Sequence, residues 1–564
     1  MAIRIRCVPV LLTILTAAAG CGPAGGGPSN RLYFAALTGT ARGELSPQGQ
    51  ASLSAMIDAG SLADLECPNF TNYRIPAKSF YDSAGRKLVW LRDGQPTNQA
   101  RQLITVLQHA DRKGLNPEDY NGPKWEERVE TLPGKNSEPD QIRFDLALTI
   151  SAMRYASDLH EGRVDPHQLG FGYDTGSKRI DPADFLKRNV VDASDVAAAF
   201  DQLEPSFPGY QWAERALDST KELAEEATEL PITKSPLRPG DPYPDLARLI
   251  EFLQGTGDLP SDAEVPENSH VYKGAVVEAV KHFQERHGIA ATGRIDQGTL
   301  RELNPPSSKR ADKLELALER WRWIPLGPQP LIIVNVPEFR LYAFDEGYDP
   351  VLTMKVLDGK AVTNETPLFG GRMKSVVFRP YWNVPPSIER AELLPKIEAN
   401  GGSLGNSFQV VDAHSRVVSG GNIVSGLRSG RLAIRQVPGS HNALGLVKFV
   451  FPNDYDVYMH DTPAVRLFAK ARRDLTHGCI RVEKAAELAE WVLRFNSGWG
   501  QEAIHAAMQG NRTIPVNLTN PFSVFIVYMT AMAQENGEVH FFDDIYGHDE
   551  ALRRALARRE ACSA

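Results

Sequence analysis

With 564 residues, the chain is too long for a single hydrophobic core and is expected to form about three or four domains. A content of 42% hydrophobic and 23% charged residues is typical of folded globular domains and argues against a disordered chain. The net charge of −8 and the lack of a long basic run give no reason to expect a nucleic-acid partner.

The first 21 residues have the pattern of a secretory signal. Arg4 and Arg6 precede the apolar stretch 8–15, which is too short for an ordinary membrane-spanning helix. The small residues that end at Cys21 resemble a lipobox, which predicts acylation of Cys21 and a lipid anchor in an envelope membrane. Ordinary cleavage near the same residues, leaving a soluble periplasmic protein, is the alternative. Residues 22–30 are rich in Gly and Pro and are expected to be a flexible tether.

The five cysteines lie at positions 7, 21, 67, 479 and 562, with no C-x-x-C pair. This spacing argues against zinc-finger and thioredoxin-type sites. Cys67 and Cys562 could form a disulfide in an oxidising compartment, although the sequence does not place them together.

Residues 31–240 have mainly helical periodicity interrupted by Pro and Gly, and we expect a helical scaffold domain there. One of its helices is predicted over 144–159. His160, Glu161 and Asp165 follow this helix as potential metal ligands, but a solvated helix end is the preferred interpretation.

Residues 243–304 have two amphipathic helical faces, over 246–253 and 275–283. A Phe-Gln pair is followed by a glycine-containing turn and by an Asp-x-x-Thr-Leu helix that begins at Asp296. This pattern resembles the small three-helix peptidoglycan-binding module, in which these residues are mainly structural. Glycan binding is therefore implied by the resemblance.

Short apolar runs predict β-strands at 331–336, 340–344 and 351–356. Their close spacing favours an antiparallel, β-sandwich-like sheet in a region that spans 310–548. The stretch of about 388–435 interrupts the strands, and we expect it to cap a substrate site; a mobile surface loop without contact to ligand is the alternative. The basic residues of 549–564 predict a helical tail with a solvated face. The fold class is thus multidomain α+β.

Cys479 is the strongest candidate for a reactive residue. A cysteine attacks as a thiolate, so it needs an imidazole to take its proton, a group to hold that imidazole, and backbone N–H groups aimed at the developing oxyanion. His460 ends the apolar run 457–459, which predicts a strand, and Gly478 leaves the backbone before Cys479 open. Helical periodicity returns after Arg481, so we expect Cys479 to lie just ahead of a helix N-terminus and to have a low thiol pKa.

These residues resemble the signature of L,D-transpeptidases, the cysteine enzymes that cross-link bacterial peptidoglycan. His460 and the Thr-His-Gly-Cys-Ile-Arg run at 476–481 carry the match. Residues 319–323, 381–386 and 438–445 resemble the large periplasmic branch of the family, with a YkuD-like catalytic domain. That branch comprises a signal or anchor segment, a helical scaffold, a peptidoglycan-binding module and the catalytic domain, so the resemblance covers nearly the whole chain.

The resemblance implies a role for each residue around the cysteine. Cys479 is the nucleophile, and His460 is the general base, held by the backbone carbonyl of Asp461. The backbone N–H groups of Gly478 and Cys479, with His477, form the oxyanion hole, and His477 also shapes the loop and helps to bind the acyl chain.

Arg481 is expected to meet a carboxylate of the donor peptide or to fix the loop through a bidentate pair. The other candidates for substrate binding are Tyr381, Trp382, Asn383, Tyr458 and Thr476. Core packing is the alternative for the three aromatic residues, and a hydrogen bond within the loop is the alternative for Thr476.

The implied reaction has two steps. Cys479 attacks the carbonyl between the third residue and the terminal D-alanine of a tetrapeptide stem, which releases D-alanine and leaves a thioester; an acceptor amine then forms a 3→3 cross-link. Water as acceptor would make the protein an L,D-carboxypeptidase, and a protein lysine would attach an envelope protein to the wall. The resemblance calls for no metal or organic cofactor. It implies that the partners are peptidoglycan stem peptides and glycan, in the periplasm.

Other classes fit these residues less well. A papain-like wall endopeptidase has its cysteine before its histidine, whereas His460 precedes Cys479 here. A zinc site made of Cys479 and two histidines lacks a fourth ligand at the usual separation. A non-catalytic wall-binding scaffold would be expected to lack Cys479 or His460.

Overall fold

The structure is a computed structural model that describes residues 43–134, 137–226, 230, 236–264, 270–304, 307–327, 330–400 and 405–560. The predicted signal, the Cys21 lipidation site and the 22–30 tether lie outside the described residues, as does Cys562. Cys67 takes part in a disulfide, but its pairing with Cys562 stays a prediction. None of the helices in the described ranges is both long enough and apolar enough to cross a membrane.

The N-terminal region is helical, as predicted, with one short hairpin. Its helices and strands are α1 (Pro47–Ala59), α2 (Arg74–Ser83), β1 (Leu91–Arg92), β2 (Gln95–Pro96), α3 (Asn98–Gln108), α4 (Trp125–Thr131), α5 (Glu138–Glu161), α6 (Pro182–Phe185), α7 (Val196–Asp201) and α8 (Pro208–Glu226). The central helix α5 begins where the Ser137 side chain accepts a hydrogen bond from the Asp140 N–H. It ends at Gly162, whose φ of 88° lies in the region that favours glycine.

The residues that follow α5 each have a separate local partner. His160 Nδ1 lies 2.7 Å from the Leu203 carbonyl oxygen, and the Asp165 side chain pairs with His167. Glu161 accepts a hydrogen bond from a backbone N–H further along the chain. These contacts give the three residues structural roles at the helix end.

The module at 243–304 is built on α9 (Leu246–Gly255), α10 (Ala275–Arg286) and α11 (Gln297–Leu303). Gln284 joins its parts, because its side-chain amide donates to the Arg294 carbonyl and its side-chain oxygen accepts from the Gly293 N–H. Asp296 caps α11 by accepting from the Thr299 N–H. The residues of the sequence motif therefore hold the turn between helices.

The C-terminal region combines helices with a large sheet. Its elements are α12 (Ser307–Trp323), β3 (Leu331–Asn335), β4 (Arg340–Phe344), β5 (Pro350–Gly359), β6 (Gly370–Phe378), β7 (Trp382–Asn383), α13 (Pro386–Ile388), α14 (Leu394–Ala399), β8 (Phe408–Val411), α15 (Ile423–Arg428), β9 (Ala433–Gln436), β10 (Val447–Val450), β11 (Met459–His460), β12 (Asp474–Thr476), β13 (Ile480–Val482), α16 (Ala485–Leu493), α17 (Gln501–Gln509), β14 (Ile514–Val527), β15 (Ala531–Ala533), β16 (Val539–Phe541) and α18 (His548–Glu560). Two π-helical turns lie at Leu186–Val190 and Glu389–Leu393. Shorter 3-10 turns lie at Thr71–Tyr73, Ala110–Lys113, Pro117–Tyr120, Gly122–Lys124, Leu132–Gly134, Pro166–Leu169, Gly176–Lys178 and Val465–Ala469.

The large sheet has nine strands in the order β12-β5-β13-β11-β10-β6-β14-β3-β4, and a further pairing of β4 with β5 closes it on itself. The prediction of a mainly-β region is confirmed. The sheet is not purely antiparallel, because β11 with β13, β12 with β5 and β14 with β3 pair in parallel. Parallel neighbours need long connections, and the closely spaced early strands of the sequence gave no sign of them.

The insertion between β6 and β10 has a small core of its own. Strands β7, β9 and β8 form a three-stranded sheet, and Val384, Leu393, Ile397, Leu427 and Ile434 pack together beside it. We call residues 382–436 the cap.

The predicted basic tail is the helix α18, on which Arg554 and Arg558 are exposed, while another face packs against the body of the region. Leu552 is fully buried, and Asp549 forms a buried ion pair with Arg320 on α12, with 2.7 Å between Oδ1 and Nη1. The many arginines at the end of the sequence indicated an exposed segment, so the burial of Leu552 and Asp549 was not predicted.

Asp549→Ala is expected to lower the free energy of unfolding by about 3 kcal/mol, because it leaves the buried Arg320 guanidinium without its counter-charge. Urea denaturation followed by tryptophan fluorescence measures the change. Glu550→Ala is the matched control, since the exposed Glu550 pairs only with surface arginines. Equal stabilities of the two variants would contradict the importance of the buried pair.

Candidate active site

The candidate residues lie on three neighbouring strands, β10, β11 and β13. The register pairs Lys448 with His460 and His460 with Arg481. Successive side chains of a strand point to opposite faces of the sheet. The buried residues Val447, Phe449, Met459, Ile480 and Val482 face the hydrophobic core. The alternating residues therefore share the other face, which we call the site face: Lys448, Tyr458, His460, Cys479 and Arg481.

Cys479 and His460 are diagonal neighbours on this face. The Ile480 N–H donates to the Tyr458 carbonyl, which continues the parallel register by one residue and sets Cys479 opposite Tyr458. Diagonal neighbours on one face of adjacent strands lie near each other. The structure thus brings the predicted nucleophile and base to one face of the sheet.

His460 is held in one tautomer. Its Nδ1 lies 2.6 Å from the Asp461 backbone oxygen, which can only accept, so Nδ1 carries the proton and Nε2 has a free lone pair. The Asp461 side chain instead accepts from the Leu446 N–H. Burial, followed by the positive charge of Arg481, lowers the pKa of His460 to about 3. The imidazole is therefore neutral at physiological pH.

The surroundings of Cys479 differ from the sequence-based expectation. Strand β13 follows the cysteine directly, and the next helix, α16, begins only at Ala485, so the helix expected just after the cysteine does not start there. Burial raises the pKa of the Cys479 thiol, and hydrogen bonding from Tyr458 opposes that rise. The sulfur lies 3.9 Å from the Asp456 carbonyl oxygen. The prediction of a low thiol pKa is wrong, and the resting pair of Cys479 and His460 is neutral.

The loop before Cys479 is held from within. The Thr476 hydroxyl donates to the Cys479 carbonyl over 2.7 Å and accepts from the Gly478 N–H over 3.2 Å. Gly478 has a φ of 108°, which favours glycine at this turn. The buried Thr476 thus shapes the loop, which is the alternative role named above. The Gly478 N–H is already engaged, which leaves the Cys479 N–H as the better oxyanion donor.

The guanidinium of Arg481 lies beside the cysteine on the site face. Burial lowers the pKa of Arg481, and the charge of Cys479 opposes that effect. Its Nε is buried and has no hydrogen-bond partner among the described residues. A buried guanidinium nitrogen without a partner is suited to an anionic ligand such as a carboxylate.

The predicted aromatic residues are placed differently from one another. Tyr458 lies 5.8 Å from the His460 ring, centroid to centroid, and its hydroxyl interacts with Cys479 and Trp382. Tyr381 is exposed next to the cap, where the Arg435 guanidinium of the cap stacks on its ring at 4.4 Å. Asn383 is exposed on β7. Tyr458 and Trp382 therefore reach the site, whereas Tyr381 and Asn383 are exposed at the cap.

His477 points towards the cap. Its Nε2 lies 2.9 Å from a carboxylate oxygen of Glu392, and both side chains are about half exposed. The cap thus contacts the loop that carries Cys479, which supports a capping role. The role of His477 in the oxyanion hole stays a prediction, because it concerns the backbone N–H group.

Three residues near the site were not predicted from the sequence. Thr366 donates to the Gly478 carbonyl, and Tyr546 donates to the Gly359 carbonyl and accepts from the Thr366 N–H. Lys448 is the third. Its place between the apolar residues Val447 and Phe449 was the one available signal, since alternation assigns it to the face opposite the core.

Within the ranges that the structure describes, no three His, Cys, Asp or Glu side chains are grouped so that they could hold a metal ion. The site face carries a thiol, a neutral imidazole and two cations. A cysteine with an adjacent base is suited to acyl transfer.

Three segments of the chain match known domain families. Residues 76–217 match the model of a scaffold domain, and residues 246–303 match that of a "Putative peptidoglycan binding domain". Residues 329–516 match the model of the L,D-transpeptidase catalytic domain. These matches lie in the helical region, the three-helix module, and the part of the C-terminal region that runs from β3 to the start of β14 and includes the cap.

A protein from Haemophilus influenzae named "Putative L,D-transpeptidase" is 31% identical over 304 residues. The match covers 52% of this chain and 60% of that relative's length. The chain therefore carries the catalytic domain of the L,D-transpeptidase family, together with a scaffold domain and a peptidoglycan-binding domain.

Proposed function

We propose that this protein is a cysteine acyltransferase that forms 3→3 cross-links between peptidoglycan stem peptides through a thioester on Cys479. The observation that carries the proposal is the shared site face of Cys479, His460 and Arg481 within an L,D-transpeptidase catalytic domain. The peptidoglycan-binding domain supports a wall substrate and a location outside the cytoplasm.

In the first step, His460 Nε2 takes the thiol proton as Cys479 Sγ attacks the carbonyl before the terminal D-alanine. The Asp461 carbonyl keeps the opposite ring nitrogen protonated, so Nε2 is always the accepting atom. The Cys479 N–H supports the developing oxyanion. The peptide bond then breaks, His460 returns the proton to the departing amine, and the thioester remains.

In the second step, the amine of an acceptor stem attacks the thioester. His460 takes a proton from this amine and returns it to the sulfur when the carbon–sulfur bond breaks. Water in place of the amine would give L,D-carboxypeptidase activity, and a protein lysine would attach that protein to the wall. The cap supports the amine acceptor, because a covered site excludes competing water.

A mixture of tetrapeptide-containing muropeptides incubated with the purified protein distinguishes these outcomes. Mass spectrometry is expected to detect dimers that have lost one D-alanine. Tripeptide monomers alone would identify a carboxypeptidase, and unchanged substrate would contradict both activities.

Acylation of Cys21 is part of the same proposal, because a lipid anchor with a short tether would hold the catalytic and wall-binding domains next to the envelope. The lipobox-like sequence before Cys21 supports this anchor.

Arg481→Met is expected to raise the KM for the tetrapeptide donor about 30-fold, because it removes a charge-assisted contact to a donor carboxylate worth about 2 kcal/mol. The KM of Arg481→Lys should lie between those of the unmodified protein and Arg481→Met, since an ammonium keeps the charge but cannot reproduce the bidentate contact. Steady-state release of D-alanine measures the effect. Arg416→Met, at an exposed arginine of the cap, is the control. A KM unchanged by Arg481→Met would remove Arg481 from the donor site.

A further inference from the structure

Lys448 occupies the site face but has no part in the mechanism above. It lies on β10 directly opposite His460, and Arg481 lies opposite His460 on the other side. Its ammonium group is 3.6 Å from the centre of the Tyr458 ring. The hydroxyl of that tyrosine interacts with the Cys479 sulfur. Lys448 is thus linked to the nucleophile through a single side chain.

The charges around Lys448 indicate what its ammonium group stabilises. Cys479 and Asp456 are the charged groups that act on it, the Tyr458 ring packs against its ammonium group, and His460 lies opposite it on β11. Arg481 lies one strand further away, on β13. His460 is neutral and Arg481 is positive, so neither is a counter-charge. Asp456 and the thiolate form of Cys479 are the negative charges within its influence.

We propose that Lys448 is a positioning residue that stabilises the thiolate of Cys479 and holds the Tyr458 phenol against the sulfur. The proposal rests on the proposed function in one respect, that Cys479 is the nucleophile. The positive charge of Lys448 favours the negative sulfur through space. The cation–π contact fixes the Tyr458 ring, whose hydroxyl donates to the same sulfur.

The protonation states of the two groups are consistent with this coupling. Burial lowers the pKa of Lys448, and the charge of Cys479 opposes that effect. Burial likewise raises the pKa of Cys479, and Tyr458, Lys448 and Arg481 all oppose that rise. The site thus combines a half-buried sulfur with two cations, Lys448 and Arg481, which favour its ionised form.

The test is the pH dependence of Cys479 alkylation by iodoacetamide in the purified full-length protein, without peptide substrate. Peptide mass spectrometry assigns the modification to Cys479 rather than to another cysteine. Lys448→Met keeps the length of the side chain without its charge, and Lys448→Arg keeps the charge. Lys448→Gln is a second neutral variant, and Lys374→Met, at an exposed lysine on β6, is the control.

Both neutral variants are expected to raise the midpoint of alkylation by about one pH unit, which slows alkylation about tenfold near neutral pH. Lys448→Arg and Lys374→Met should titrate like the unmodified protein. Neutral variants with an unchanged midpoint would overturn the inference. A shift in Lys448→Arg as large as that in Lys448→Met would also overturn it, because packing and not charge would then be the cause.

These outcomes are separable from failure of the proposed function. Alkylation reports on the thiol alone, whereas the muropeptide assay reports on acyl transfer. The protein could form no cross-links while the pH midpoint of Cys479 alkylation still depended on the charge of Lys448. That result would contradict the proposed function and leave the inference on Lys448 intact.

Discussion

Replacing Cys479 by alanine is expected to abolish cross-linked dimers, with a loss of turnover of about ten-thousand-fold or more. The variant has no atom that can attack the donor carbonyl, although the rest of the site face is retained. Mass spectrometry of one reaction measures D-alanine release, which reports the first step, and dimer formation, which reports the second.

Cys479→Ser is the companion variant, because it differs by one atom and preserves the packing around Tyr458. We expect it to be nearly as inactive, since a hydroxyl is a much weaker nucleophile than a thiolate. Matched thermal unfolding curves would exclude a folding defect. Dimer formation by a folded Cys479→Ala protein would show that the cysteine is not the nucleophile.

His460→Gln is expected to lower kcat/KM by a factor of about one hundred to ten thousand, the usual contribution of a positioned general base. Glutamine keeps a polar side chain of similar length but cannot take the thiol proton. His505→Gln is the control, because His505 is an exposed histidine on α17. Comparable activity of the two variants would mean that another group accepts the proton.

The same residue determines the acid limb of the pH profile. The neutral imidazole is the active base, so activity is lost as pH falls through the pKa of His460. An ordinary histidine would place that loss near pH 6.5, whereas burial and Arg481 lower the pKa of His460 to about 3. We therefore expect kcat/KM of the unmodified protein to stay level from pH 7 down to about pH 5. A midpoint near pH 6.5 would contradict the buried, cation-flanked environment.

The local sequence was sufficient to find every residue of the site face except Lys448. His460 ends an alternating run, and Cys479 follows a glycine at a spacing typical of one enzyme family, so both were identified without coordinates. The multidomain α+β fold was also predicted, because helical and two-residue periodicities occupy separate parts of the chain.

What the sequence missed depends on contacts between distant residues. The approach of Glu392 to His477 and of Tyr546 to Gly359 joins segments far apart in the chain, which periodicity does not reveal. The thiol pKa was predicted in the wrong direction because the three residues of β13 were too short a run to distinguish from the start of the helix. The burial of α18 was missed because arginines dominate its composition.

The central claim is that Cys479 carries the acyl group, and intact-protein mass spectrometry tests it most directly. A tetrapeptide donor supplied without an acceptor is expected to add its own mass less that of D-alanine, on the peptide that contains Cys479. The same treatment of Cys479→Ala should add nothing. An adduct that persists in that variant, or D-alanine release by the unmodified protein with the label on another residue, would contradict the account.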